Sequence, residues 1–354
     1  MNNVVKKDLL EIFNNLTDKE RKEFNASTIM ITGFAGFLGF YLTNFFVEFK
    51  EMLGINKIIG IDNFKVGKPE WICKLEENKK IELYECDITT IDVDDIKSSK
   101  EVTHIYHMAS IASPTYYRMY PIETMEANVE GLKRLLNYYK NSNLKKFLYF
   151  SSSEIYGDAE VIPTPENYNG NVSCIGPRSC YDEAKRYCET ICYFYNKKFN
   201  MPIRIIRPFN NYGPGIKLND KRVSSDFASC IVDNKDIIMY SDGKPTRTFC
   251  YISDAITGYL KVTAYDEFDI FNIGSDNPEI TIRELAEKFK KVGFEFFNYE
   301  GQVVCEKSSE DDYLTNNPNR RCPDINKARK LLGFEPKVEI ETGIKRFLEY
   351  LIES

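Results

Sequence analysis

Thr28-Ile29-Met30-Ile31-Thr32 is a short β-branched run that breaks into Gly33-Phe34-Ala35-Gly36-Phe37-Leu38-Gly39, and residues 40–50 then carry an apolar helical pattern. A strand, a glycine turn and a helix in that order leave few architectures open. The glycines allow a tight turn, a close backbone approach to a pyrophosphate and close packing of helix on strand, while the helix N-terminus offers unpaired N–H groups to phosphate. The next run, residues 57–61, ends in Asp62, about 20 residues beyond the turn, where a carboxylate can accept from the ribose hydroxyls of a dinucleotide. An acid there favours NAD over NADP, whose 2′-phosphate it would repel. The spacing is GxxGxxG rather than GxGxxG.

Further strand runs fall at residues 81–86, ending in Asp87-Ile88, at 103–107 and at 146–150, with a helix from about Pro121 to Lys140 between the last two. Strands alternating with helices predict an α/β chain: a doubly wound parallel (Rossmann) sheet followed by a smaller C-terminal α/β substrate domain, with ligands at the carboxyl ends of the strands. That rule puts Met108, Ala109 and Ser110, and then Ser151 to Glu154, on the cofactor side. Asp87 can accept from an adenine amino group or be an ordinary loop acid. The expected units are an N-terminal helical arm over 1–27, a mainly dinucleotide-binding part over 28–212, and a mainly substrate-binding part over 213–354, with the chain crossing back between them. In the arm, Val5, Leu9, Ile12, Phe13 and Leu16 recur at helical spacing, and Thr17-x-x-Glu20 reads as a capping box.

Composition excludes several classes of partner. The 354 residues are 43% hydrophobic and 28% charged, which suits a globular chain with a large core. A net charge of −6 with scattered Lys and Arg gives no footprint for a nucleic acid polymer or an anionic membrane. Ten irregularly spaced cysteines without paired CxxC motifs favour reduced thiols and a cytoplasmic location. The two histidines lie far from Cys188 and Cys192, so no metal site is expected. No apolar run has the length of a membrane span, and residues 1–27 are too polar and acidic for a signal peptide.

Tyr181 and Lys185 are four apart, so on a helix they share one face. A phenol titrates near pH 10, and a tyrosine acting as a base near neutrality needs roughly three units of depression, about 4 kcal/mol, for which a lysine one turn away is a source. Such a pair alone reads as well as a solvated helix face. Its context points to a site: Ser151-Ser152-Ser153-Glu154 closes a strand, a long loop follows over 158–180, and Ser179 with Asp182 reads as the cap of a helix running to about Phe199. Later, Arg247 stands between β-formers after the turn at Asp242-Gly243. It suits a diphosphate or carboxylate gripped bidentately, or a surface salt bridge.

The TGxxGxxG turn (Thr32 to Gly39), the serine two strands later, Tyr181-x-x-x-Lys185 and Arg207-Pro208-Phe209-Asn210-Asn211-Tyr212-Gly213-Pro214 together resemble the extended short-chain dehydrogenase/reductase superfamily of nucleotide-sugar enzymes, over nearly the whole chain beyond the arm. GxxGxxG is that superfamily's own turn. Within it the chain is most similar to the UDP-glucuronate decarboxylase (UDP-xylose synthase) group. His107-Met108-Ala109-Ser110-Ile111-Ala112-Ser113-Pro114 resembles its HLAxxASP, Gly176-Pro177-Arg178-Ser179-Cys180-Tyr181-Asp182-Glu183 its GPRxCYDE, and Arg321-Cys322-Pro323-Asp324 its RxPD. Departures are Ser152 in place of the usual threonine, Gly215 in place of the usual arginine, and the N-terminal arm.

The resemblance implies bound NAD and a UDP-sugar substrate. It makes Tyr181 the base, Lys185 a ribose contact that also acidifies Tyr181, and Ser152 a hydrogen-bond partner of the sugar 4-hydroxyl. Ser153 replaces the aspartic acid by which 4,6-dehydratases expel water, so oxidation at C4, loss of the C5 carboxylate and re-reduction are expected, giving UDP-xylose or the 4-keto-pentose. Glu154 would manage the proton at C5, and Arg247 and Asn210 would meet the diphosphate or the sugar acid. Asn63, Ile88, Asn128 and Pro208 complete the expected cofactor contacts; Ser113, Pro114 and Tyr116 complete those to substrate. A 4-epimerase, a 4,6-dehydratase and a non-catalytic NAD-binding protein are the alternatives. The helices starting near Pro121 and Tyr181 are, by resemblance, those that pair across a homodimer.

Overall fold

The inner strands of the central sheet are buried on both faces, as sheets covered by helices on each side require; Thr28–Thr32, His104–His107 and Lys146–Phe150 are buried along their whole length. The structure is a computed structural model that describes residues 1–78, 81–306, 315 and 317–353. In chain order, α1 (Asn3–Asn15) and α2 (Asp18–Lys22) lead into β1 (Thr28–Thr32), α3 (Phe37–Glu48), β2 (Lys57–Asp62), α4 (Trp71–Asn78) and β3 (Glu82–Glu85). There follow β4 (His104–His107), α5 (Pro114–Met119), α6 (Pro121–Tyr139), β5 (Lys146–Phe150), α7 (Ser179–Phe199) and β6 (Ile203–Pro208). The remainder holds β7 (Asn211–Tyr212), α8 (Val223–Val232), β8 (Ile237–Met239), β9 (Thr246–Arg247), β10 (Cys250–Tyr251), α9 (Ile252–Ala264) and β11 (Ile270–Ile273). It ends with β12 (Ile280–Thr281), α10 (Ile282–Phe297), β13 (Val303–Cys305), β14 (Arg320–Arg321), α11 (Asn326–Leu332) and α12 (Ile340–Glu353).

Seven strands form the main sheet in the order β11-β6-β5-β4-β1-β2-β3, and each neighbouring pair is parallel. The strand order reverses between β1 and β4, which opens a crevice at their carboxyl ends. Thr32 lies level with Ile61 on one side and His107 on the other, so three strands end together at its rim. Alternate side chains of the strands feed two apolar layers. Ile29, Ile31 and Phe150 pack with α3 and α9 residues, whereas Met30, Ile105 and Phe147 pack with Leu132, Leu135 and Cys188 of α6 and α7. There are three small sheets among the described residues, β12-β9-β14, β13-β8 and β10-β7, of which the first gives Arg247 and Arg321 and the last Asn211 to the crevice wall.

The N-terminal arm is fastened to both halves. Val5, Leu9, Ile12 and Phe13 are buried, and Thr17 and Glu20 form the capping box of α2. Asp8 is fully buried but not unpartnered: the Tyr41 and Tyr251 hydroxyls donate to it at 2.6 and 2.7 Å, and Arg346 pairs with it at 2.9 Å. A buried carboxylate is tolerable only with such partners. One cap differs from expectation. α7 begins at Ser179, with Arg178 at the cap position; the Ser179 hydroxyl instead donates to the Ser173 carbonyl at 2.7 Å. No described helix is long and apolar enough to cross a membrane.

Candidate active site

A cavity of about 890 Å³ runs from the glycine turn across the sheet's carboxyl edge to β9 and β14. At its first end Gly33 takes φ +72°, and a Cβ there would lie 2.7 Å from the Ala109 nitrogen. Gly36 differs: a Cβ there would meet only the Gly33 carbonyl, at 3.3 Å, and otherwise stand in the cavity over the uncapped start of α3. This open space above a helix N-terminus fits a pyrophosphate. Asp62 accepts from the Ala35 and Phe64 nitrogens at 3.1 and 2.9 Å, so it braces the turn as well as facing the cavity. Burial raises its pKa, against those backbone bonds. Asn63 donates to Asp87 at 2.8 Å and the Thr89 nitrogen does likewise. Burial alone would raise the Asp87 pKa, but the bonds from Thr89 and Asn63 outweigh it and the net shift is downward.

Gly33, Ala35, Gly36, Phe37, Leu38 and Gly39 line the cavity, as do Ile88, Met108, Ala109, Ser110 and Pro208. Phe34 and Asn128 do not. Phe34 is fully buried in the core under Gly39. Asn128 is turned back on α6, its amide donating to the Thr124 carbonyl at 2.7 Å. Both positions follow the backbone rather than the motif: Phe34 turns its ring into the core from within the turn, and Asn128 lies on the buried face of α6.

The serine turn is held from behind. The Ser151 nitrogen donates to the Ile206 carbonyl at 2.8 Å and its hydroxyl to Glu189 at 2.5 Å. Glu189 is gripped bidentately by Arg207 at 2.9 and 2.6 Å, and Arg207 also reaches the Tyr156 hydroxyl at 2.6 Å. In front of this network Ser152 caps the turn by accepting from the Glu154 nitrogen at 3.2 Å, and it is hydrogen-bonded to Tyr181. Tyr117 stacks on Tyr181 with ring centroids 5.3 Å apart. The Lys185 ammonium donates to the Phe150 carbonyl at 2.7 Å and lies 5.7 Å from the Tyr181 ring centroid.

The expected acidification of Tyr181 is not present in the chain by itself. Burial pushes its pKa up to about 12; the Ser152 bond opposes this and Glu154 adds to it. Burial likewise pushes Lys185 down to about 8. Burial is the leading cause of both shifts, and the Lys185 ammonium, with one N–H on the Phe150 carbonyl, is not among the groups that lower Tyr181, whereas Arg222 is.

At the far end, Arg178 and Arg321 both contact the Glu154 carboxylate, one on each oxygen. Arg178 also lies 3.5 Å from Asp182. Burial acts to raise Glu154, but the two guanidinium groups outweigh it and hold the group ionised. Asp182 is raised by burial and by Glu154. Arg247 joins the cluster, held by the Thr246, Asn319 and Pro318 carbonyls at 2.8, 3.1 and 2.5 Å. Burial, with Arg321 beside it, pushes it down to about 10. Three guanidinium groups thus face two carboxyl groups. Arg178 and Arg321 carried a signal in the sequence, through the GPRxCYDE and RxPD resemblances, but no role was assigned to either.

Of the other candidates, Ser153, Pro114 and Tyr116 line the cavity. Ser113 lines it too and donates to the Asp220 carbonyl at 2.7 Å. Asn210 adopts φ +36° and spends one amide hydrogen on the Thr248 carbonyl at 2.9 Å, leaving its other groups to the cavity.

Comparison with known proteins follows the same lines. The model of the NAD dependent epimerase/dehydratase family matches residues 29–274. UDP-glucuronic acid decarboxylase 5 of Arabidopsis thaliana is 36% identical over 316 residues, covering 89% of this chain and 86% of that protein. UDP-glucuronic acid decarboxylase 1 of Xenopus tropicalis is 36% identical over 335 residues, 95% of this chain and 73% of the relative. Among solved structures, UDP-glucose 4-epimerase from Thermotoga maritima with UDP-glucose is 26% identical with a TM-score of 0.79, over 92% of this chain and 99% of that one. UDP-glucuronic acid 4-epimerase from Bacillus cereus, in complex with UDP-glucuronic acid and NAD, is 25% identical with a TM-score of 0.75, over the same two shares.

Proposed function

Because the chain belongs to the NAD-dependent epimerase/dehydratase family, we propose that it is an NAD-dependent UDP-glucuronate decarboxylase. The observation that carries this reading is the charge balance at the deep end of the cavity. Arg178, Arg321 and Arg247 stand against Glu154 and Asp182, so at least one positive charge is left for an acidic sugar. A neutral hexose would leave that charge to be met by the diphosphate alone. The identities with named decarboxylases support the same reading.

NAD, held by the glycine turn and Asp62, supplies the acceptor and donor of the C4 hydride. The chain's own groups handle position and protons. Tyr181 takes the 4-hydroxyl proton and returns it, with Ser152 fixing the hydroxyl. Lys185 reaches a cofactor ribose and holds the Phe150 carbonyl. Once C4 is a ketone, the β-keto acid loses carbon dioxide without an acid catalyst. Glu154, fixed as a carboxylate, orders water for protonation at C5 rather than donating a proton of its own. A 4,6-dehydration needs an acid at Ser153, and the neighbouring Glu154 is ionised.

Incubating the purified protein with UDP-glucuronate, UDP-glucose and dTDP-glucose, with carbon dioxide release and product mass followed, tests the reading. UDP-glucuronate should lose the mass of one carbon dioxide and the other two should be left unchanged. Conversion of UDP-glucuronate to an isomer of equal mass would make the protein an epimerase instead. We also propose a homodimer through α6 and α7, supported by Ile122, Tyr187 and Phe194, which are 57%, 55% and 60% exposed on these helices.

A further inference from the structure

The loop after β2 follows Asp62 and begins with Asn63, both of which line the cavity, and it is fastened from two sides. On one, the Lys65 ammonium reaches Glu123 of α6 at 3.4 Å and lies 4.9 Å over the Tyr120 ring. On the other, Lys217 donates to the Val66 and Gly67 carbonyls at 2.6 and 3.1 Å. Lys217 comes from the segment after β7, on the opposite wall, and Asp62, Val66, Gly67 and Lys217 all line the one cavity. That segment lies close because of Gly215. Its φ is +88°, and a Cβ there would run into the Phe40 ring of α3, on the same helix that starts at the pyrophosphate position. Ile216, 3% exposed, then anchors the backbone from which Lys217 projects.

We propose that Lys217 is a crossbar over the cofactor half of the cavity that keeps the dinucleotide in place throughout turnover, so that the product leaves as the reduced pentose and not as the 4-ketone. This rests on the decarboxylase reading for its chemistry. In oxidation the C4 hydride goes to NAD and the hydroxyl proton to Tyr181; the C5–carboxylate bond then breaks, and C5 takes a proton as carbon dioxide leaves. Return of the hydride to C4 and of a proton to the oxygen restores NAD and completes UDP-xylose. Loss of the reduced cofactor before that last transfer leaves the ketone as product and consumes one NAD per sugar. The bar therefore decides between two products without touching the sugar. Lys217 is a positioning residue.

The test compares wild type, Lys217→Met and Lys217→Arg as holoenzymes after desalting. NAD retained per chain and its rate of release are measured first, without substrate, and UDP-glucuronate products are then separated. Loss of two charge-assisted hydrogen bonds should speed NAD release in Lys217→Met about tenfold. The 4-keto-pentose should then accumulate with matching free NADH, and Lys217→Arg should behave as wild type. Equal NAD retention and an equal product ratio in Lys217→Met would overturn the proposal. If wild type releases no carbon dioxide, the decarboxylase reading falls, while the NAD release rates still decide whether the bar holds the cofactor.

Discussion

Gly215→Ala isolates what the close approach at the cavity wall is worth. A non-glycine residue at φ +88° is strained by about 1–3 kcal/mol. Forcing a methyl group against the Phe40 ring adds an overpacking cost of about 1–3 kcal/mol. The two together predict a loss of about 2–6 kcal/mol, a large share of the stability of an ordinary domain. Urea unfolding followed by circular dichroism would read this as a lowered midpoint at unchanged slope. A double-mutant cycle separates the terms. Phe40→Leu removes the ring but not the backbone strain, so the double variant should recover about 1–2 kcal/mol relative to the sum of the singles. A Gly215→Ala variant within 0.5 kcal/mol of wild type would refute both terms, and strict additivity would refute the contact.

Two further outcomes follow from the buried charges. Asp182 has its pKa raised by burial and by Glu154, so the folded chain keeps a proton that the unfolded chain releases. Its contribution is greatest below about pH 4 and is lost as pH climbs through the raised folded value. Asp182→Asn should therefore flatten the stability curve and exceed wild type by about 1–3 kcal/mol at pH 8; wild type proving the more stable there would show that ionised Asp182 gains more from Arg178 than burial costs. Glu189→Gln leaves the Arg207 guanidinium buried without its bidentate partner and should cost about 3–5 kcal/mol in thermal unfolding. Arg207→Met in the same chain should restore most of that loss.

The dinucleotide half was legible because its chemistry is local. A strand, three glycines and an acid at the next strand end are contiguous or nearly so, and the structure puts each of Gly33, Gly36, Gly39 and Asp62 at one cavity end. The acid–arginine cluster was not legible, since Glu154, Arg178, Arg247 and Arg321 meet only through the tertiary fold. Arg321 comes from β14, and its contact with Glu154 spans 167 residues. The state of Tyr181 in the chain by itself was not legible for a related reason. Helical spacing puts Lys185 on its face, but the direction of the ammonium depends on the Phe150 carbonyl, supplied by a strand 35 residues earlier. Spacing carries proximity; burial and competing acceptors, which set a pKa, belong to the assembled fold.

Asp8 imposes an order on how the molecule is made. Its partners Tyr41, Tyr251 and Arg346 lie 33, 243 and 338 residues further along the chain. At a synthesis rate of about 5–20 residues per second, Arg346 emerges about 20–70 s after Asp8. Until then α1 cannot settle on the body of the protein without burying a carboxylate that lacks its cation. Full pairing of the buried Asp8 of α1 therefore waits on α12.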